Sequence, residues 1–313
     1  MKNNLSNIKK AVKYLNKNKC IAIPTETVYG LAANAYSSSA TSKIFKLKNR
    51  PKRNPLIVHY YNLRLLKKDC EINKIFLKLY KKYSPGPISY ILKLKKNSLI
   101  SKNVTNKKKT LAVRFPKHPV ARNLLKSLKY PLAAPSANIS TKISPVTKKD
   151  VKDEFGRKVS LILDGGQCKI GVESTIVNLV NKPNILRLGG IPQESIKKYL
   201  NTNLSFKKKS KINSPGQYKT HYSPYIKIRL NVRKAKKDEA FILIKKRKKT
   251  SLNYFYLSND RNLKKAAKNL YKTLRLIKKR KYKSIAVEKI PNKGFGEVIN
   301  DRLMRASNFK WII

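Results

Sequence analysis

Acidic residues are scarce: 15 Asp plus Glu stand against 74 Lys plus Arg in 313 residues, a formal net charge of +59. Cysteine and histidine are scarcer still, at three each. Cys20, Cys70 and Cys168 lie far apart and form no CxxC pair. That argues against a disulfide framework or a cysteine zinc site and fits a reducing compartment. His59, His118 and His221 are not spaced as metal ligands, so no protein metal site is expected. No apolar run reaches the roughly 18 residues that span a bilayer. The first ten residues lack the apolar core of a signal peptide. A soluble, cytoplasmic protein with no membrane partner is expected. Walker A, Gly-rich kinase, GxSxG and HExxH patterns are all missing. A bound nucleotide would therefore be held by side-chain cations and strand-end hydroxyls.

Apolar residues make up 41% of the chain, which rules out wholesale disorder. The length suggests two domains, at roughly 150 residues each. The basic excess is mostly Lys, accompanied by much Asn, Ile and Tyr, a mixture that a genome poor in G and C also produces. It reads either as attraction to nucleotides or RNA, or as a solvated lysine surface.

Hydrophobic spacing predicts helices over 4–19, 40–48, 72–83, 118–128 and 193–200. Short apolar or alternating runs predict strands over 20–23, 56–60, 88–94, 111–115, 131–134, 161–163, 175–179 and 185–188. Interleaved strands and helices give an α/β fold. Residues 201–223 turn polar and lysine-rich around Ser214-Pro215-Gly216, which marks a linker between domains 1–200 and 224–313. Beyond it, strands over 226–230, 240–244, 254–257 and 284–287 surround a helix over 262–279. That alternation predicts a small Rossmann-like α/β domain without a GxGxxG loop.

Four polar groups could carry chemistry. Pro24-Thr25-Glu26-Thr27-Val28-Tyr29-Gly30-Leu31 sits at a strand end, where open α/β sheets bind ligands. In an extended segment Thr25 and Thr27 face one way. Lys48 and Arg50 flank a single residue, so an extended chain aims both at one side, as suits a polyphosphate. Asn54 and His59 follow. Ala134-Pro135-Ser136-Ala137-Asn138 lets a ligand approach the backbone and offers hydrogen bonds, with Ser144 beyond. Thr110 and Arg114 share a strand face; Ser174 and Arg187 complete the set. Arg114 and Arg187 sit in apolar strands and need partners, either an anionic ligand or a buried carboxylate. Each motif taken alone is also compatible with an ordinary turn or an exposed cation.

Together and in this order, these segments resemble the YrdC family, in particular its two-domain L-threonylcarbamoyladenylate synthases. Asp164-Gly165-Gly166, Glu173-Ser174-Thr175, His221-Tyr222-Ser223-Pro224 and Asn300-Asp301-Arg302 add to the resemblance, which spans nearly the whole chain. It implies a YrdC-like twisted mixed sheet with helices, followed by the small C-terminal domain. It also implies a nucleotidyltransferase that makes threonylcarbamoyl-AMP and pyrophosphate from L-threonine, bicarbonate or CO2, and ATP with Mg2+. Partner proteins then transfer the threonylcarbamoyl group to tRNA beside the anticodon; direct tRNA contact is left open. By the resemblance, Thr25, His59, Arg114, Ala134 and Ser174 hold threonine or its carbamate. Lys48, Arg50, Asn54, Thr110, Ser136, Asn138, Ser144, Arg187 and Tyr222 hold ATP, with Lys48 and Arg50 as the catalytic cations. Lys219 stands where the family linker often has tyrosine, so Tyr218 and Tyr222 are alternative contacts. The rival reading is a non-enzymatic RNA-binding protein with a basic concave surface, although no RNP aromatic pattern or KH loop is present.

Overall fold

The computed structural model describes residues 2–202, 204–206 and 221–308. The middle of the expected linker, with Ser214-Pro215-Gly216, Tyr218 and Lys219, lies outside the described residues. The chain opens with α1 (Lys2–Asn16), whose buried Ile8, Ala11 and Leu15 recur at helical spacing. Next come β1 (Ile21–Ile23), β2 (Gly30–Asn34), α2 (Ser38–Lys48) and β3 (Ile57–His59). Two helices, α3 (Leu63–Asp69) and α4 (Lys74–Tyr83), precede β4 (Ile88–Lys93). Then follow α5 (Lys102–Thr105), β5 (Thr110–Arg114), α6 (Pro119–Lys126), β6 (Leu132–Ala133) and α7 (Lys148–Phe155). The run ends with β7 (Thr175–Asn178), β8 (Asn184–Arg187), α8 (Gln193–Leu200) and β9 (Ser205–Phe206). Helix starts are fixed by side-chain caps, such as Ser37 on the Ala40 amide and the Thr147–Asp150 capping box.

These nine strands form one mixed sheet in the order β1-β2-β6-β3-β5-β4-β7-β8-β9. β9 falls within the expected linker yet belongs to this sheet. The parallel pair β3 and β5 sits near the centre, with register His59↔Arg114 at its carboxyl end. β4 runs antiparallel to β5 and parallel to β7, so the residues just before β7 come to the same end. β4 is buried over its first five residues, which explains its near-continuous apolar run. Tyr60, Phe76, Tyr90 and Phe115 fill the main core beneath it. Helices α1 and α6 cover a second cluster against β1.

The second sheet, β10-β13-β11-β12, is wholly parallel. It comprises β10 (Lys227–Arg229), β11 (Glu239–Leu243), β12 (Tyr254–Tyr256) and β13 (Ser284–Val287), with α9 (Leu263–Lys279) and α10 (Phe295–Ser307). The mixed α/β class with a small parallel C-terminal domain is as expected. Only the β12–α9–β13 crossover carries a helix, so the β-α alternation is less regular than the sequence suggested.

Local differences have local causes. Residues 161–163 are not a strand: they make a single bridge, Ile162 to Ala22, closed by two backbone hydrogen bonds of 2.8 and 2.9 Å. β2 is Gly-Leu-Ala-Ala-Asn, which lacks β-branched residues and becomes a strand through pairing with β1 and β6. α7 has only Val151 and Phe155 as a buried stripe, too short for periodicity to show.

Gly189 fixes how closely β7 and β8 approach. A Cβ there would lie 2.3 Å from the Glu173 carbonyl oxygen and 2.5 Å from the Thr175 amide nitrogen. Gly189→Ala must therefore displace main chain, costing about 1–3 kcal/mol. Urea unfolding is expected to show that loss; an unchanged midpoint would mean the backbone yields freely.

Candidate active site

The carboxyl ends of β3 and β5 open into a cavity walled by the strand exits. Thr25, Val28 and Tyr29 line it after β1, His59 ends β3, and Arg114 ends β5. Ala134, Pro135 and Ser136 supply another wall, and Arg50, Glu173 and Arg187 the rest. His221 and Tyr222 close it. Eight of the predicted site residues thus meet: Thr25, Arg50, His59, Arg114, Ala134, Ser136, Arg187 and Tyr222.

The Thr25 and Thr27 hydroxyls do come together, 2.8 Å apart, although in a turn. Thr25 Oγ1 also donates to the Val28 carbonyl at 2.6 Å. Arg114 resolves its need for a partner within the protein: its guanidinium reaches Glu26 at 2.7 Å, both side chains buried. The second Glu26 oxygen accepts the Lys117 amide at 3.0 Å.

Lys48 and Arg50 depart from the extended reading. Lys48 ends α2, and Asn49 turns left-handed at φ 47°. Lys48 Nζ then donates to the Ser136 carbonyl at 2.6 Å and to the Asn138 carbonyl, beneath the cavity wall rather than in it. Burial, with Arg50 nearby, pushes its ammonium well below the ordinary value. Arg50 lines the cavity and donates to the Asn54 and Pro55 carbonyls at 3.1 and 2.9 Å. The Asn54 and Asn138 side chains are buried behind these loops, and Asn138 braces its loop through the Ile139 and Lys142 carbonyls.

Thr110 is not brought to the cavity. It begins β5, four residues from Arg114 on the same face, or about 13 Å along a strand. Ser144 and Ser174 sit just behind the wall. Ser144 donates to Glu173 at 2.6 Å, and Arg187 donates to the Ser174 hydroxyl at 2.9 Å.

Several buried polar atoms have no hydrogen-bond partner among the described residues: both His59 ring nitrogens, Arg114 Nε and the Tyr222 hydroxyl. All four belong to residues that face the cavity. An unmet buried donor or acceptor costs about 1–3 kcal/mol, so this lining is built for a polar ligand.

The sequence places Glu26, Glu173 and Arg302 inside motifs but assigns them no role, and it gives no sign of Tyr271. Glu173 accepts Arg302 Nε at 3.0 Å and the Tyr271 hydroxyl at 2.8 Å. Burial alone would raise its carboxyl, but Arg302, Arg187 and Ser144 outweigh that and hold it down at about 2. The available signal was the rarity of acids: a lone Glu inside a hydroxyl-rich motif of so basic a chain must serve some cation.

Both cavity histidines are held neutral. Burial pushes His221 down to about 3; Glu173 opposes this, while Arg50, Lys48 and Arg302 reinforce it. Burial and then Arg114 push His59 well below its ordinary value. Half-buried His118 shifts the same way through burial. The unfolded chain takes up these protons near pH 6.5 and the folded one does not. Stability is therefore complete above that pH and falls as pH drops toward about 3, by about 1.4 kcal/mol per pH unit for each fully buried histidine. Denaturant midpoints should fall between pH 7 and pH 5, and His221→Gln should narrow that difference. An equal difference in the variant would show that the folded protein protonates this ring.

Known proteins share this architecture. Residues 13–189 match the Sua5/YciO/YrdC family model, described as "Telomere recombination", and residues 191–308 match "Threonylcarbamoyl-AMP synthase, C-terminal domain". The threonylcarbamoyl-AMP synthase of Pyrococcus abyssi (strain GE5 / Orsay) is 35% identical, covering 97% of this chain and 95% of its own length. That of Bacillus subtilis (strain 168) is 34% identical over 96% of this chain and 92% of its own. The crystal structure of P. abyssi Sua5 complexed with L-threonine superposes with a TM-score of 0.88 at 32% identity, covering 96% of this chain and 94% of that one. On the match of both domains and on this identity over nearly its whole length, the chain belongs to the threonylcarbamoyl-AMP synthase family.

Proposed function

We propose that the cavity binds L-threonine, bicarbonate and ATP and joins them into threonylcarbamoyl-AMP. The supporting observation is the set of unpartnered polar atoms on residues that line one cavity beside three arginines. Thr25, His59, Arg114, Ala134 and Ser174 form the threonine side. Arg50, Ser136, Ser144, Arg187 and Tyr222 form the ATP side, with Lys48, Asn54 and Asn138 holding its loops. Thr110 stays in the ATP set on the resemblance alone.

Threonine's amine combines with CO2, or with bicarbonate losing water, to give a carbamate. A carbamate oxygen attacks the α-phosphorus of ATP, and pyrophosphate leaves. The step needs alignment and charge neutralisation rather than a protein nucleophile. All three cysteines are buried, with thiols pushed up by that burial, and are unsuited to nucleophilic attack. Glu173, which lines the cavity, is committed to Arg302, and Glu26 behind it to Arg114, so this donor set does not fit a dedicated Mg2+ site. In this reading the ion arrives on ATP's own phosphates and no step is assigned to it. The product passes to cytoplasmic proteins that transfer the threonylcarbamoyl group to tRNA. Among the described residues no helix is long and apolar enough to cross a membrane. RNA binding alone leaves the buried unpartnered atoms without a purpose.

Incubation with ATP, bicarbonate and L-threonine should release pyrophosphate only when threonine is present and yield the acyl-adenylate. Replacing threonine by 2-aminobutyrate should abolish most turnover, since a site that reads a hydroxyl rejects its absence. Equal use of both amino acids would show that the hydroxyl is not read. Arg50→Ala should lower kcat/KM for ATP at least tenfold, because charge-assisted bonds contribute about 1.5–3 kcal/mol each. Near-normal turnover in that variant would remove Arg50 from the phosphate site.

A further inference from the structure

The C-terminal Asn300-Asp301-Arg302 motif has no role in the chemistry described so far, yet its Arg302 bonds Glu173, a residue of the cavity wall. Asp301 lies in α10 between two arginines: it accepts from Arg302 Nη1, and from Arg305 Nε at 3.0 Å. Arg302, itself 1% exposed, then crosses into the first domain. Its Nε donates to Glu173 at 3.0 Å, and its Nη2 donates to the Leu188 carbonyl, next to Arg187, at 2.7 Å. Its guanidinium lies 4.7 Å from the centre of the Tyr222 ring. Tyr222 stacks at 5.7 Å on Tyr271 of α9, whose hydroxyl donates to the same Glu173 carboxylate.

The first domain makes room for this contact. Gly171 has φ +76°, and a Cβ there would lie 2.3 Å from the Lys268 carbonyl oxygen of α9. Arg275, also on α9, donates to the Ile143 carbonyl at 2.6 Å, one residue before Ser144. Two helices of the second domain therefore grip the segment that carries Ser144 and the one that carries Glu173.

We propose that the second domain is a working part of the active site, with Arg302 and Tyr271 as positioning residues that act through Glu173. This inference rests on the synthase reading of the cavity. With its carboxylate fixed by Arg302 and Tyr271, Glu173 accepts the one hydrogen bond that the Ser144 hydroxyl can donate. Ser144 then presents only lone pairs to a ligand, so it accepts from a hydroxyl or amino donor and cannot donate to a phosphate. The same guanidinium sets the plane of Tyr222 over the cavity. Loss of the second domain's grip would leave Ser144 free to rotate, Tyr222 unanchored and an unneutralised carboxylate beside the phosphates.

The test uses the full chain and four variants: Arg302→Lys, Tyr271→Phe, Arg302→Met, and Glu173→Gln combined with Arg302→Met. Thermal midpoints, ATP affinity by calorimetry, and kcat and KM for ATP are measured together. Arg302→Lys and Tyr271→Phe should stay folded while binding ATP at least tenfold more weakly, with kcat/KM falling to match. Arg302→Met should lose thermal stability because it strands a buried carboxylate. The double variant should regain that stability and stay impaired in ATP affinity and turnover. Recovery of wild-type affinity and turnover together with stability would overturn the inference, since the pair would then be only structural. Unchanged ATP affinity in Arg302→Lys and Tyr271→Phe would overturn it too. A wild-type protein that binds ATP but releases no threonine-dependent pyrophosphate would instead overturn the synthase reading, and the affinities would still decide the positioning role.

Discussion

Burying an ion is tolerable only when its partner arrives in good geometry and the remaining lone pairs are met. Glu173 imposes that condition on this molecule. It is fully enclosed, and Arg302, Tyr271 and Ser144 satisfy it from three separate segments. None of the three can move far without exposing an uncompensated charge. The relative placement of α9, α10, the strand entering β7 and the loop carrying Ser144 follows from that single carboxylate. Glu26 does the same on a smaller scale, tying the loop after β1 to the end of β5 through Arg114. The cations of the cavity are thus set in place before any ligand enters, the arrangement that electrostatic preorganisation requires.

What could be read directly from the chain was what sits at strand ends. Thr25, His59, Arg114, Ala134, Ser136 and Arg187, picked out at or beside short apolar runs, line one cavity because strand exits at one end of a sheet converge. The reading of Lys48 and Arg50 failed in geometry: Arg50 lines the cavity, while Lys48 lies beneath its wall. A left-handed Asn49 breaks the extended chain, and sequence spacing carries no information on that φ angle. Thr110 shares a strand face with Arg114 as read, but that does not shorten the distance along the strand, and it lies outside the cavity lining.

The Glu173–Arg302 contact spans 129 positions in sequence, and no local periodicity reports a contact of that range. α10 was equally obscure, since its buried face includes Asp301 and Arg302, polar residues that no hydrophobic pattern counts. Scarcity was the usable clue. Where acids are rare, an isolated one inside a small-residue motif marks a charge that the fold has reason to keep.

The neutral state of His59 and His221 has an effect beyond folding. Two imidazoles touch the cavity, yet burial keeps both neutral across the physiological range. Neither ring therefore adds charge to the cavity as the solution turns mildly acid. In the proposed reaction the proton-dependent species are the small molecules themselves: threonine's amine must lose a proton before it can capture CO2, and CO2 interconverts with bicarbonate. On the acid side of neutrality the response of turnover to pH then belongs to the substrates' own acid–base equilibria rather than to either histidine.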